Sequence, residues 1–295
     1  MKILFIGCVE SSEALLSTLI ENRFNICGVV TKSESAINAD FVNLSELCVV
    51  NSIPVHFYKT GKYSEYIDFI SGCNPDIIYC FGWSHILKED VLNIPPLGTV
   101  GFHPTELPRN RGRHPIIWAI VLGLKQTAST FFIIEAGIDD GDIISQEIIA
   151  INEIDNARTL SNKIYSAAKL QIVSFTKQFQ DGTIKYISQD EAQSSVWRKR
   201  VEKDGLIDFR MRAETICRLI RALGCPYVGA HFEYNGIAYK VWKAEALKCN
   251  KDYENIEYGK VLKIYSERSF LVKADNSLLK ILDCENVQLR EGDYL

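Results

Sequence analysis

No stretch of this 295-residue chain stays apolar for long. The opening MKILFIGCVESSEALL holds a six-residue apolar stretch, too short for a secretory core, and no run approaches the roughly 20 apolar residues that cross a bilayer. A surplus of positive charge is missing too. The 33 Lys and Arg against 37 Asp and Glu leave a net charge of −4, so nothing in the composition draws the chain toward nucleic acid or an anionic membrane. Cysteine pairs are absent: the nine cysteines are odd in number, scattered and without a CxxC, which argues against a disulfide framework and against a zinc site. They read as reduced thiols of a cytoplasmic protein, and no metal is expected. Glycine is scarce where a dinucleotide would need it, because the first apolar run ends FIGCVESSEAL with Gly7 alone, and the Walker loop, HExxH and GxSxG are missing as well.

What is present is an alternation of short apolar runs and helical patterns. Lys2–Gly7, Ile26–Val30, Ile77–Phe81 and Thr99–Phe102 read as buried strands, and Ser11–Ile20 has helical spacing. STFFIIEAG (129–137) and DIISQEIIAI (142–151) read as two more strands joined by a turn rich in Gly and Asp. Leu160, Ile164, Ala168, Ile172, Phe175 and Phe179 stripe a helix over roughly Ala157–Phe179, which meets an Asp181–Gly182 turn signal. After about residue 190 the pattern turns polar, then closely spaced strands follow a helix at Ala213–Leu223. The expected architecture is α/β: a Rossmann-like, mostly parallel sheet with helices on both faces over 1–190, a linker or strap at 191–205, and a small β-rich, OB-like domain over 206–295.

His103 closes the run at 99–102, and in an open parallel sheet ligands gather beyond the carboxyl ends of the strands. If the strands at 99–102 and 129–135 are neighbours, their ends bring Asp139 or Asp140 beside His103. A carboxylate next to an imidazole fixes its tautomer and suits it to proton transfer near neutral pH. The stretches GFHPTELPRNRG (101–112) and GIDDGD (137–142), with Asp139 a further 36 residues after His103 (139 − 103), resemble the formyltransferases that use 10-formyltetrahydrofolate. That family includes methionyl-tRNA formyltransferase and the N-formyltransferases of nucleotide-linked amino sugars. The resemblance extends over nearly the whole chain, through KILFIGCVESSEALL, FGWSHILKEDVLNIPPLG and IRALGCPYVGAHFEYNGIAYKVWKAE.

The resemblance implies that His103 and Asp139 are catalytic and that Asp140 and Asp142 support their loop. It implies a folate-side segment of Phe81, Gly82, Trp83, Ser84, His85, Ile86 and Leu87, joined by Ile138, Asp139, Asp140 and Asp142, for 10-formyltetrahydrofolate. The family has an Asn two places before its His, where this chain has Gly101. The lost oxyanion donor corresponds to about 3–4 kcal/mol of transition-state stabilisation. Three readings follow: an inactive folate- or nucleotide-binding relative, protonated His103 acting with a backbone N–H or water, or Ser84 or His85 supplying the donor.

For the acceptor, TKSESAINADFVNLSEL (31–47) stands where methionyl-tRNA formyltransferase carries a basic insertion, and it is short, polar and acidic. The expected acceptor is therefore the amine of a nucleotide-linked amino sugar of the kind used in surface glycans, with no nucleic acid or membrane partner; methionyl-tRNA is the alternative. Arg109, Arg111 and Arg113 beside His103, with Arg198 and Arg200 in WRKR, are candidates for the diphosphate. Tyr227, read as part of a strand, is a candidate for the base, and Glu10, Ser11, Thr105 and His114 complete the expected sugar-nucleotide site. Many relatives are dimers through their C-terminal domains, which makes a homodimer one candidate assembly, and the sequence itself leaves the oligomeric state open.

Overall fold

The alternating pattern of the first half folds into one twisted sheet. In the computed structural model, which describes residues 1–35 and 38–295, β1 (Lys2–Ile6) leads into α1 (Glu10–Glu21), β2 (Asn25–Thr31), α2 (Ser45–Val50), β3 (Val55–Phe57), α3 (Tyr63–Cys73), β4 (Ile77–Cys80), α4 (Glu89–Leu92) and β5 (Thr99–His103). Then come β6 (Arg111–Gly112), α5 (Pro115–Val121), β7 (Gln126–Ile133), β8 (Ile143–Ala150), α6 (Ala157–Asp181) and β9 (Val196–Trp197). Part of the acidic stretch at 31–47, namely Ala36 and Ile37, lies outside the described residues.

The seven strands are ordered β3-β2-β1-β4-β5-β7-β8, parallel from β3 to β5 and antiparallel at β7 and β8. Ile3 and Phe5 of β1 point to one face, with Leu15, Leu19, Tyr79, Phe131, Ile172 and Phe175, while Leu4 and Ile6 point to the other, with Tyr66, Ile70, Ile78 and Val91. Because both faces are covered, the strands carry unbroken apolar runs instead of alternating ones. On the first face the rings of Phe81, Phe131 and Phe175 lie 5.3 and 4.8 Å apart in sequence of contact. Burying each such ring contributes about 1.5–3 kcal/mol. The apolar stripe expected for α6 is buried at all six positions.

Strand order reverses between β1 and β4, and there the two chains approach closely. A Cβ on Gly7 would lie 2.4 Å from the Phe81 carbonyl oxygen, and one on Gly82, at φ +65°, would lie 2.1 Å from Val9. The Ser12 hydroxyl donates to that same Phe81 oxygen at 2.6 Å, tying the first turn of α1 to the end of β4. Such a reversal point is where open α/β sheets place their ligands.

The chain divides into two compact units. The first comprises Met1–Pro115, Gln126–Ala150 and Asn162–Arg198; the second comprises Ile116–Lys125, Ile151–Ser161 and Lys199–Leu295. In the second, α7 (Ala213–Ala222) packs on an antiparallel sheet of β10 (Ala230–Tyr234), β11 (Ile237–Lys248), β12 (Val261–Ser266), β13 (Ser269–Ala274) and β14 (Ser277–Cys284), ordered β10-β11-β14-β13-β12. The polar stretch expected as a strap is split between the units, because β9 pairs with β6 of the first. Among the described residues no helix is long and apolar enough to cross a membrane.

Candidate active site

His103 is the last residue of β5, and its side chain is 6% exposed. Cys80 of β4 pairs with Gly101, so the segment that leaves β4 at Phe81 and Gly82 departs level with Phe102 and His103. The loop after His103 folds back over the ring. Thr130, opposite His103 on β7, donates through its hydroxyl to the Thr105 carbonyl at 2.6 Å, and the Gln146 amide donates to the Leu107 carbonyl at 3.1 Å. The loop thereby brings the Asn110 carbonyl to 2.9 Å from His103 Nε2. On the other side of the ring, Nδ1 faces Asp139 Oδ2 at 3.6 Å, and that oxygen also accepts the Gly112 N–H at 2.9 Å.

How Asp139 arrives differs from the sequence expectation. The strands are neighbours, but β7 runs antiparallel to β5: Ile133 lies opposite Val100 and the Ile134 N–H donates to the Thr99 carbonyl. Their corresponding ends are therefore opposed, and strand ends alone would leave Asp139 at the wrong end of β5. The loop between β7 and β8 instead turns back over the sheet face that carries Gly101 and His103. A Cβ on Gly141 would fall 1.9 Å from the Ile133 carbonyl oxygen, so glycine is required for the return. Asp140 folds beneath Gly137, where a Cβ would meet its carboxylate at 1.7 Å, and so shapes the turn from within.

The same return covers Gly101. Phe132, its partner on β7, and Ile134 would lie 2.8 and 2.9 Å from a Cβ there, and Phe132 packs with Leu107 and Ile143. The space in which an asparagine side chain would begin is filled by apolar groups. The two side chains considered as substitutes are engaged elsewhere. Ser84 donates its hydroxyl to Asn38 Oδ1 at 3.1 Å, and the His85 ring lies against Tyr58 and Trp83, at 4.9 and 5.5 Å between centroids. Burial, then the Lys32 cation, pushes His85 below the ordinary histidine range, so its ring is neutral near pH 7.

The arginines separate into two kinds. Arg109, Arg113 and Arg198 are exposed. Arg111 is buried, and its guanidinium makes paired bonds to Glu191, at 2.6 and 3.0 Å, and two more to Gln189 Oε1. Those bonds hold the Glu191 carboxyl below the usual carboxylate range and take Arg111 out of the set open to a diphosphate. Arg200 is likewise buried, in the second unit, 4.6 Å over the Trp118 ring. Thr105 is fully buried with its hydroxyl on the Arg109 carbonyl, Phe81 puts its ring in the core, and Ser11 is buried in the first turn of α1. Glu10, Gly82, Trp83, Leu87, Asp142 and His114 are partly buried, whereas Ile86 and Ile138 are exposed. Tyr227 belongs to the turn before β10, not to a strand. Sequence reasoning missed Asn110, which sits unremarked within PRNRG, and Gln189 and Glu191, whose only signal was a polar stretch after α6.

These features coincide with known families. A model described as formyl transferase matches residues 1–176 and its C-terminal domain model matches 200–293. The chain belongs to the formyl transferase family, enzymes that transfer formyl groups. It is 29% identical over 290 residues, 97% of this chain and 92% of the relative, to the methionyl-tRNA formyltransferase of Caldanaerobacter subterraneus subsp. tengcongensis. Among solved structures it shares its fold with an N-formyltransferase from Helicobacter canadensis in complex with folinic acid and dTDP-3-aminofucose (TM-score 0.72, 19% identity, 96% of this chain and 99% of that one). A second is WlaRD, a sugar 3N-formyl transferase in the presence of dTDP and 5-N-formyl-THF (TM-score 0.70, 19% identity, 98% and 99%).

Proposed function

We propose that this enzyme moves the formyl group of 10-formyltetrahydrofolate to the amine of a nucleotide-linked amino sugar. The observation that carries the reading is His103, buried at the end of β5 with Asp139 Oδ2 at 3.6 Å from Nδ1, one strand from the reversal point. The donor fits that region. Ile86 and Ile138 offer exposed apolar side chains for its flat rings. When bound, the donor supplies an electrophilic formyl carbon. His103 takes the proton from the attacking amine and passes it to the folate nitrogen as that nitrogen's bond to the formyl carbon breaks, leaving the N-formyl product and tetrahydrofolate. Asp139, held by the Gly112 N–H, orients the imidazole and balances the charge it gains. With no side-chain amide at position 101, the donors left for the formyl oxygen are His103 itself, a backbone N–H or water. Arg109, Arg113 and Arg198 suit a diphosphate, and the net charge of −4 gives no general pull toward RNA.

A second reading, transfer to methionyl-tRNA, is favoured by the relative of that activity aligned along nearly the whole chain. The deciding experiment offers 10-formyltetrahydrofolate together with dTDP-, UDP- and GDP-linked 3-amino and 4-amino sugars, and separately with methionyl-tRNA. Turnover on a sugar nucleotide is expected, with tRNA binding weak and falling steeply as salt rises. Efficient formylation of methionyl-tRNA with the sugars untouched replaces the proposal with the second reading. Folate binding without transfer to either acceptor makes the protein a disabled binder.

A further inference from the structure

We infer that Gln189 is a positioning residue for the reaction: it holds the loop that presents Asp139 to His103. The inference rests on the reading of His103 and Asp139 as the proton-handling pair. Asp139 sits at φ +51°, in the left-handed region that few residues with a Cβ occupy and that Asp and Asn enter most readily. Two bonds from one side chain meet the loop at this point. Gln189 Nε2 donates to the Asp139 carbonyl at 2.8 Å and to the Gly141 carbonyl at 2.7 Å, bracketing the residue. Its Oε1 accepts from Arg111 Nε at 3.1 Å and Nη2 at 2.8 Å.

Each atom of that amide has the only role it can take. Carbonyl oxygens need donors and a guanidinium needs acceptors, so the orientation of the Gln189 amide is determined, and its two N–H groups and both lone pairs are used. Arg111 is buried and fixed in turn by Glu191, and the next residue, Gly112, gives its N–H to the Asp139 carboxylate. The backbone and the side chain of Asp139 are thus both referred to one short strand, β6, through Gln189 on one side and Gly112 on the other. Glutamate at 189 has the same shape but no proton for the two carbonyls. Leucine fills the volume and offers neither bond.

The test measures kcat and KM for 10-formyltetrahydrofolate in Gln189→Leu, Gln189→Glu, Asp139→Asn, His103→Asn and the double variant Gln189→Leu/Asp139→Asn. The acceptor is dTDP-3-aminofucose or methionyl-tRNA, whichever the wild-type chain uses, and thermal melting reports on folding. Both Gln189 variants should lose about 10- to 100-fold in kcat, as for an ångström-scale misplacement, with KM changed less than about threefold. The double variant should be no slower than Asp139→Asn, because Gln189 acts through that carboxylate. Near-normal kcat in a folded Gln189→Glu, or losses that multiply in the double variant, overturn the role of Gln189 while leaving the pair intact. If His103→Asn and Asp139→Asn turn over normally, it is the reading of the pair that fails. Should Gln189→Leu unfold, Gln189→Glu, which preserves volume, carries the test.

Discussion

The departure at Gly101 makes a prediction about packing that does not depend on the acceptor. In Gly101→Ala the new Cβ lies 2.8 and 2.9 Å from Phe132 Cζ and Cε1 and 2.9 Å from Ile134 Cγ1. Carbon contacts are most favourable at about 3.5–4.0 Å, so three of them are compressed by roughly 0.6–1.2 Å at once. The Phe132 ring is 4% exposed and packed against Leu107 and Ile143, leaving the strand pair to absorb the strain. Overpacking of this kind costs about 1–3 kcal/mol, or about 2–4 °C of melting temperature per kcal/mol in a unit of this size. Gly101→Asn should be worse, since it adds a buried amide without partners, a further cost of about 1–3 kcal/mol. Restoring the family residue alone therefore should not restore its function. Urea unfolding of wild type, Gly101→Ala, Phe132→Leu and the double variant measures the coupling. Phe132→Leu makes room, so the alanine penalty should shrink by at least about 1 kcal/mol in that background. A Gly101→Ala within about 0.5 kcal/mol of wild type, or a penalty undiminished when Phe132→Leu is also present, refutes the reasoning.

His103→Asn and Asp139→Asn should each lower turnover about 100- to 10,000-fold with melting within a few degrees of wild type, whereas Ser84→Ala and His85→Ala should stay within about tenfold, since their side chains face Asn38 and the Tyr58–Trp83 pair; steady-state kinetics and circular dichroism decide. His56, His85 and His231 are all held below the ordinary value of 6.5, burial being the first cause for each. The unfolded chain then binds more protons than the folded one, so stability is full above about pH 6.5 and is lost as pH falls below it. His56→Phe should flatten that slope in melting curves at pH 5.5 and 7.5, because the ring stacks on Phe69 at 5.3 Å and buries Nε2 without a hydrogen-bond partner among the described residues.

Strands buried on both faces were legible because their apolar runs have no competing pattern, and the stripe of α6 was legible from its period. The juxtaposition of His103 and Asp139 was legible only by way of the family motifs. Local reasoning supplied the right neighbours, β5 and β7, but not their direction, which depends on a long connection through β6 and α5. Arg111 shows the same boundary from the other side. Its surroundings in PRNRGRHP suggest a phosphate contact, yet the residues that bury it, Gln189 and Glu191, lie 78 and 80 positions away. The filling of the space at Gly101 by Phe132 is another pairing across the sheet that no local spacing announces.

Modular exchange between relatives has to respect where the first unit ends. The two family matches stop at residue 176 and resume at 200, so a chimera joined at either edge treats the intervening chain as a dispensable connector. That connector carries Gln189, Glu191, Ser195 and β9, and Ser195 Oγ accepts the N–H of Asn110, whose carbonyl meets His103. A graft that keeps this unit's chemistry while importing another C-terminal domain must splice after Trp197. Splicing earlier replaces the frame of the site along with the domain it was meant to exchange.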